Sequence, residues 1–111
     1  MTEQGGRSAY RASIDALVDE CRNGQGTVLP SWARRAVWPP DSEVAELLRR
    51  LDSSDREAVA RMLEQAYSGA VHDTLRVLED KGFPNLAQAY EGSPREDFMG
   101  RLITDYEWPN D

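Results

Sequence analysis

The stretch that decides the fold reads SDREAVARMLEQAYSGAVHDTLRVLEDKG, residues 54–82. Its apolar residues return at every third or fourth position, which is the spacing of one face of an α-helix. Ser54 and Glu57 fit a capping box, in which each side chain binds the free main-chain amide of the other, and Gly82 is a typical stop. The stretch therefore predicts a long helix from residue 55 to about residue 81.

The apolar face of this long helix changes direction near Gly69. At about 100° per residue, the apolar residues before and after that glycine point about 120° apart. Either the helix kinks there, or its two halves face different parts of the protein. Glycine costs about 1 kcal/mol relative to alanine inside a helix, and we expect a close helix crossing at Gly69 to offset that cost. The residues before it are Val59, Met62, Leu63 and Ala66, and those after it are Val71, Thr74, Leu75 and Leu78.

Apolar spacing and helix-end signals also place the remaining elements. No run of alternating apolar residues predicts a sheet, so we expect an all-α fold, a single compact bundle of four main helices plus one short helix. The whole of residues 1–111 forms one domain in this interpretation, with residues 1–7 flexible. The other main helices are predicted over residues 8–22, 42–52 and 94–104, and the short helix lies near residues 30–37.

The ends of these helices carry recognisable residues. Asn23-Gly24 predicts a left-handed stop after the first helix. Asp41 is a plausible N-cap, and Ser93 with Pro94 forms the strongest start signal in the chain. The aromatic Trp108 near the end of the sequence is expected to dock onto the helical body.

The charge of the chain is strongly negative. Thirteen Lys and Arg residues against 20 Asp and Glu residues give a net charge of −7. The acidity lies beyond residue 40, and a protein that binds phosphate backbones nonspecifically carries the opposite sign, so we expect no nucleic-acid partner. No apolar run reaches the roughly 18 residues of a membrane span, and the start lacks a secretory apolar region, so we expect no membrane partner and a cytoplasmic, bacterial-type protein.

A tryptophan and arginine cluster adjoins the acidic part of the chain. Trp and Arg dominate the energetics of many protein interfaces, although tryptophans at this spacing also cover cores. Carboxylates on the following helices would attract a basic partner and speed encounter. The candidate partner-binding residues are Trp32, Arg34, Arg35, Trp38, Glu43, Glu46, Asp55 and Glu64.

Catalytic and metal motifs do not emerge from the sequence. Cys21 is the single cysteine, which leaves no internal disulfide, and it lies on the apolar face of its helix. His72-Asp73 matches the dipeptide of metal phosphohydrolases, but those enzymes need further histidines and this chain has one. We therefore predict no catalytic residue, no metal and no cofactor, and lean towards a protein that is not an enzyme.

The second half of the chain resembles a known family. YSGAVHDTLRVLEDKGFP, YEGSPREDFMGRL and YEWP, within residues 67–109, resemble a family of small uncharacterised bacterial proteins. The resemblance implies a small intracellular domain without an assigned activity. It also implies that the matching residues form either a polar site or a structural network in which Arg101 pairs with Asp73 or Glu91. The matching residues are Tyr67, His72, Asp73, Tyr90, Glu91, Asp97 and Arg101.

These observations favour protein–protein recognition as the function. The concrete version is an immunity or antitoxin-type inhibitor that masks a basic partner surface. One alternative is a small-ligand or enzymatic domain with a pocket near His72, Asp73 and Arg101. The other is a homo-oligomeric structural subunit, such as a homodimer, in which the long helix meets its copy.

Overall fold

The computed structural model describes residues 3–81, 93–104 and 107–108. Within these ranges the chain forms five α-helices and one 3-10 turn, and no residue lies in a strand. The all-α prediction is therefore confirmed. The helices are α1 (Glu3–Arg22), α2 (Val28–Arg35), α3 (Ser42–Arg50), α4 (Ser53–Asp80) and α5 (Pro94–Thr104), and the 3-10 turn spans Gln25–Thr27 between α1 and α2.

Two aspartates cap the helices that form the middle of the chain. The Asp41 carboxylate accepts hydrogen bonds from the amides of Glu43 (2.9 Å) and Val44 (3.4 Å), as predicted. The predicted capping box at the start of α4 is wrong, because the cap is Asp52, whose carboxylate accepts from the amide of Asp55 at 2.8 Å. An aspartate stabilises a helix start through its charge as well as its hydrogen bond, so it nucleates α4 at Ser53.

The link from α1 to α2 differs from the predicted left-handed stop. α1 begins at Glu3, inside the segment expected to be flexible, and ends at Arg22. Gly24 has a φ of −112°, so it is not left-handed and that prediction is wrong. The glycine required here is the buried Gly26, where an added Cβ would lie 2.7 Å from the carbonyl oxygen of Cys21. The 3-10 turn therefore packs its main chain directly against the end of α1.

Two hydrophobic clusters share the long helix α4. The first cluster joins α1 and α5 to the second half of α4, and the second joins α2 and α3 to its first half. The first contains the buried residues Tyr10, Ile14, Val18, Cys21, Leu75 and Phe98, with Trp108 packed against it. The second contains Ala33, Ala36, Leu48 and Ala60, with Trp38 and Leu63 at its margin.

α4 runs through both clusters as one unbroken helix. Of the two interpretations of its turning apolar face, the one in which the halves meet different parts of the protein is therefore confirmed. The close helix crossing expected at Gly69 is wrong, since a Cβ added there would meet no atom within 4 Å. The protein measures 55 × 28 × 18 Å, so its thinnest direction is about two helix layers and α4 keeps one exposed side.

α5 is anchored at both ends by side chains from other helices. At its start, Glu79 of α4 accepts hydrogen bonds from the Ser93 hydroxyl (3.0 Å) and the Arg95 amide (2.7 Å). At its end, Arg22 of α1 donates to the carbonyls of Arg101 and Leu102. The predicted start at Ser93-Pro94 is confirmed. Glu79 completes it, because a carboxylate is favoured where a helix leaves its first amides unpaired.

Candidate functional site

An apolar trough runs along the exposed side of α4. It consists of two adjoining hollows of about 350 and 220 Å³ that share Tyr67. Counting about 1.5 Å per residue from Leu63 to Leu78, it is about 22 Å long. The larger hollow is lined by Leu17, Tyr67, Ala70, Val71, Thr74, Leu75 and Leu78. The smaller one is lined by Gln25, Gly26, Leu29, Pro30, Leu63, Ala66 and Tyr67.

The hollows follow from the order of large and small residues in the sequence. Ala66 and Ala70 project from α4 one turn apart, and both are exposed. Leu63, Tyr67 and Leu78 are larger and flank these alanines along the helix. Because an alanine fills little space, the wall of α4 is indented at residues 66 and 70, opposite α1 and the start of α2. The helix therefore carries a concave apolar surface at the margin of the two clusters, with which it shares Leu63, Tyr67 and Leu75.

Among the described residues, none that lines either hollow is charged, and two carboxylates lie beside the lining. Glu20 lies one turn beyond Leu17 on α1, and its carboxylate accepts a 3.0 Å hydrogen bond from the amide of Gln25, a lining residue. Asp73 lies one turn beyond Ala70 on α4, and its side chain is 70% exposed. The described residues thus give the trough an aliphatic floor and two carboxylates beside its middle.

A second, more polar cleft lies on another side of α4. It has a volume of about 740 Å³ and separates the end of α5 from α2. Arg34 and Glu64 face each other in it at 2.7 Å, and burial raises the pKa of the Cys21 thiol at its edge. A thiol with a raised pKa is a weak nucleophile, so Cys21 is suited to a core position rather than to covalent chemistry. The lining residues are Cys21, Arg22, Thr27, Arg34, Glu64, Gln65, Ser68, Met99, Leu102 and Ile103.

The predicted tryptophan and arginine cluster is largely engaged within the chain. Trp32 and Trp38 meet edge to face at 5.6 Å between ring centroids, and Trp38 packs against the second cluster. Arg34 forms a fork to Glu57 at 2.7 and 3.0 Å and also reaches Glu64. The hydrogen bonds to Glu57 and Glu64 raise the pKa of Arg34, and the hydrogen bonds from Arg34 lower the pKa of Glu57.

The remaining candidate partner-binding residues lie on the surface. Arg35 is exposed at the end of α2, and the carboxylates of Glu43, Glu46 and Asp55 are exposed on α3 and at the start of α4. Asp55 also donates its main-chain amide to the Asp52 cap. The α3 carboxylates form an acidic surface at the other end of α4 from the larger hollow.

The residues of the predicted polar site enter different contacts. His72 Nδ1 lies 3.2 Å from the carboxylate of its neighbour Asp73. Tyr67 belongs to the trough and packs against the first cluster. Asp97 is buried and accepts a hydrogen bond from the Tyr10 hydroxyl. Tyr90 and Glu91 lie outside the described residues.

Arg101 forms an ion pair with Asp15 of α1 and not with Asp73, one of its two predicted partners; the other, Glu91, lies outside the described residues. The Arg101 and Asp15 side chains meet at 2.8 Å. Trp108 donates its indole N–H to the same carboxylate at 3.0 Å. The guanidinium groups of Arg11 and Arg101 also make cation–π contacts with its ring, each 5.4 Å from the ring centroid. The docking of Trp108 is thereby confirmed. Because Asp15 belongs to α1 and Arg101 to α5, their ion pair connects the two helices.

The sequence predicted the helices but not the residues on them that supply these partners. Tyr10 and Asp15 of α1 and Glu79 of α4 each bind a residue more than ten positions away in the chain. One signal was present for Asp15, since Arg11 and Asp15 stand one turn apart on the polar side of α1. For Tyr10 the helical pattern indicated burial but not the carboxylate it would meet.

Neither a metal-binding cluster nor a membrane-spanning helix occurs among the described residues. Among residues 3–81, 93–104 and 107–108, no group of three or more His, Cys, Asp or Glu side chains is arranged to hold a metal ion. Across the same residues, no helix has both the length and the apolar character that crossing a bilayer requires.

Comparison with known proteins identifies a family whose function is unknown. No curated protein and no solved structure matches the chain. The resemblance seen over residues 67–109 extends towards both ends of the sequence, because a family model covers residues 3–110. The chain belongs to that family, a family of unknown function (DUF6547).

Proposed function

We propose that the chain is a protein-recognition domain whose binding site is the apolar trough on α4. The partner inserts the apolar face of an amphipathic helix into the two hollows. The observation that carries this proposal is the trough itself, an apolar groove on the exposed side of α4 whose described lining residues are all uncharged. Helices that bind in grooves place apolar side chains at intervals of three, four or seven residues along such a surface.

The dimensions of the trough suit a helix. Its length of about 22 Å corresponds to about 15 helical residues, or four turns. The two hollows lie on either side of Tyr67, so two apolar side chains about one or two turns apart on the partner would fill them. Small-molecule sites add a few convergent polar groups that orient the ligand. Here the described lining residues with polar side-chain groups are Gln25, Thr74 and Tyr67, and Gln25 and Thr74 belong to different hollows.

The finer expectations remain part of this proposal. They are a cytoplasmic location, a bacterial source and a role as an immunity or antitoxin-type inhibitor. The enzymatic alternative receives less support, because Arg101 pairs with Asp15 of α1 and lies over the ring of Trp108, whereas His72 and Asp73 contact each other on α4. A homodimer through α4 uses the same trough, and it is therefore one outcome of the test.

The test is a binding titration with a matched pair of variants. Fluorescently labelled 15-residue amphipathic helices of neutral charge are titrated with the full chain, and binding is followed by anisotropy. Ala70→Gln places a polar chain in the larger hollow, whereas Ala58→Gln makes the same change on an exposed part of α4 outside both hollows. Because residues 58 and 70 are both exposed, we expect both variants to fold.

The proposal predicts that wild type and Ala58→Gln bind a neutral helix equally, and that Ala70→Gln weakens binding at least tenfold. Equal binding by all three proteins, or no binding by any of them, would contradict it. Sedimentation of the unliganded chain at tens of micromolar tests the remaining outcome, a homodimer formed through the trough. A dimer that dissociates in Ala70→Gln but not in Ala58→Gln would show that the occupant is a second copy of the chain.

A further inference from the structure

We infer that the trough selects a cationic helix, and that Glu20 and Asp73 perform the selection. This inference rests on the proposed function, since it concerns the charge of the occupant of the same groove. It differs from the sequence-based expectation, which assigned attraction of a basic partner to the carboxylates of α3 and the start of α4. The positions of the Glu20 and Asp73 carboxylates relative to the apolar lining support this inference.

Glu20 is fixed on the α1 side of the trough. It lies one turn beyond Leu17, which lines the larger hollow, and its Oε2 accepts the amide of Gln25, which lines the smaller one. Glu20 is therefore linked to one lining residue of each hollow, to Leu17 by its position on α1 and to Gln25 by a hydrogen bond. Because one oxygen is held by the 3-10 turn and the residue is exposed, the charge is held in place and open to a partner.

Asp73 supplies the matching charge on the α4 side. It is one turn from Ala70 and directly precedes Thr74, and both of these line the larger hollow. Its side chain is 70% exposed, and its contact in the structure is the ring nitrogen of His72 at 3.2 Å. A helix lying in the trough would thus pass between Glu20 and Asp73.

Glu20 and Asp73 distinguish cationic from anionic helices, because the uncharged lining residues do not. The lining of both hollows is uncharged, so it favours apolar side chains of any partner equally. Charges at the edge of an interface mainly set the choice of partner and the rate of encounter. The exposed cation Lys81 lies one turn beyond Leu78, at the end of the groove rather than beside its middle.

The net charge of the chain acts in the same direction but is not sufficient. A chain of −7 attracts any cationic peptide weakly over its whole surface, and salt screens that attraction. To test a specific role for Glu20 and Asp73, a variant that lacks these two carboxylates must be compared with a variant of the same net charge that keeps them. Neutralising Glu43 and Glu46 on α3 gives that control, because both are exposed and neither lines the trough.

The experiment uses three peptides and three full-length proteins. The peptides share one apolar face, and their polar faces are lysine-rich, neutral or glutamate-rich. The proteins are wild type, Glu20→Gln with Asp73→Asn, and Glu43→Gln with Glu46→Gln. Both double variants change the net charge from −7 to −5. Glutamine at position 20 retains an oxygen that can accept the Gln25 amide, so the 3-10 turn should be preserved.

We expect wild type to bind the lysine-rich helix most tightly. The Glu20 and Asp73 variant should lose about three- to tenfold in affinity for it and keep its affinity for the neutral helix, because two edge ion pairs are lost. The Glu43 and Glu46 variant should bind the lysine-rich helix within about twofold of wild type. Equal losses in both double variants would overturn the inference, as would no preference among the peptides.

Failure of this inference is distinguishable from failure of the proposed function. Binding of all three peptides with equal affinity, lost in Ala70→Gln, would leave the trough as the recognition site and remove the role of Glu20 and Asp73. Binding of the lysine-rich peptide alone that is unaffected by Ala70→Gln would place the attraction elsewhere on the acidic surface. That result would overturn both proposals.

Discussion

Replacing Gly69 by alanine should stabilise the protein. Gly69 lies inside α4, and a Cβ added there meets no atom within 4 Å. The alanine therefore creates no clash, and it removes the backbone entropy that glycine loses when the helix forms. The expected gain in the free energy of unfolding is about 1 kcal/mol. For a domain of this size that gain corresponds to a rise of about 4 °C in Tm.

Urea and thermal unfolding followed by circular dichroism would measure this gain. Ala58→Gly is the mirror-image control, because residue 58 is an exposed position in the same helix and should lose about 1 kcal/mol. A loss of stability in Gly69→Ala would refute the reasoning. It would mean that Gly69 makes a close contact outside the single chain, and that contact would then depend on protein concentration.

Three further predictions concern packing and charge inside the chain. Gly26→Ala should cost about 1–3 kcal/mol in unfolding free energy, since its Cβ would lie 2.7 Å from a main-chain oxygen of α1, and unchanged stability would contradict the packing of the 3-10 turn. Tyr10→Phe should cost about 1–3 kcal/mol in unfolding free energy, because the buried Asp97 carboxylate loses a donor, and unchanged stability in urea unfolding would contradict this contact. The Arg34 bonds lower the pKa of Glu57 in the folded state below its ordinary value of 4.5, so this pair stabilises the fold above that pH and the contribution is lost as the pH falls through the folded pKa. Arg34→Gln should therefore lose less stability than wild type between pH 7 and pH 3, and an equal or larger loss would count against the pair.

The helices were predictable from the sequence because their signals are local. Apolar spacing placed the long helix within two residues of its observed start, and Asp41 and Ser93 marked helix ends correctly. The errors arose where two local solutions compete. Asp52 and Ser54 are both acceptable N-caps two residues apart, and the charge of aspartate favours the earlier one.

The long-range contacts were not predictable in the same way. The side chain of Arg101 reaches several carboxylates in principle, and its choice of Asp15 depends on the packing of α5 against α1. The exposed position of Gly69 likewise depends on which side of α4 its neighbours leave uncovered. Neither fact is encoded in the spacing of residues along one helix.

The trough was partly visible in the sequence. The turning apolar face of the long helix showed that it has more apolar surface than one neighbour would cover. The sequence did not show that Ala66 and Ala70 would form the floor of a groove, because that depends on the distance from α4 to α1 and α2. The acidic composition pointed to a basic partner, and the structure redirects that proposal to Glu20 and Asp73.

The most direct test of the central claim is a map of backbone amide chemical shifts during titration with the lysine-rich helix. The account predicts that the largest changes fall on Leu17, on Leu29 and along α4 from Leu63 to Leu78, with small changes on α3. The largest changes on α3, or changes confined to the cleft between α2 and α5, would show that recognition does not occur in the trough.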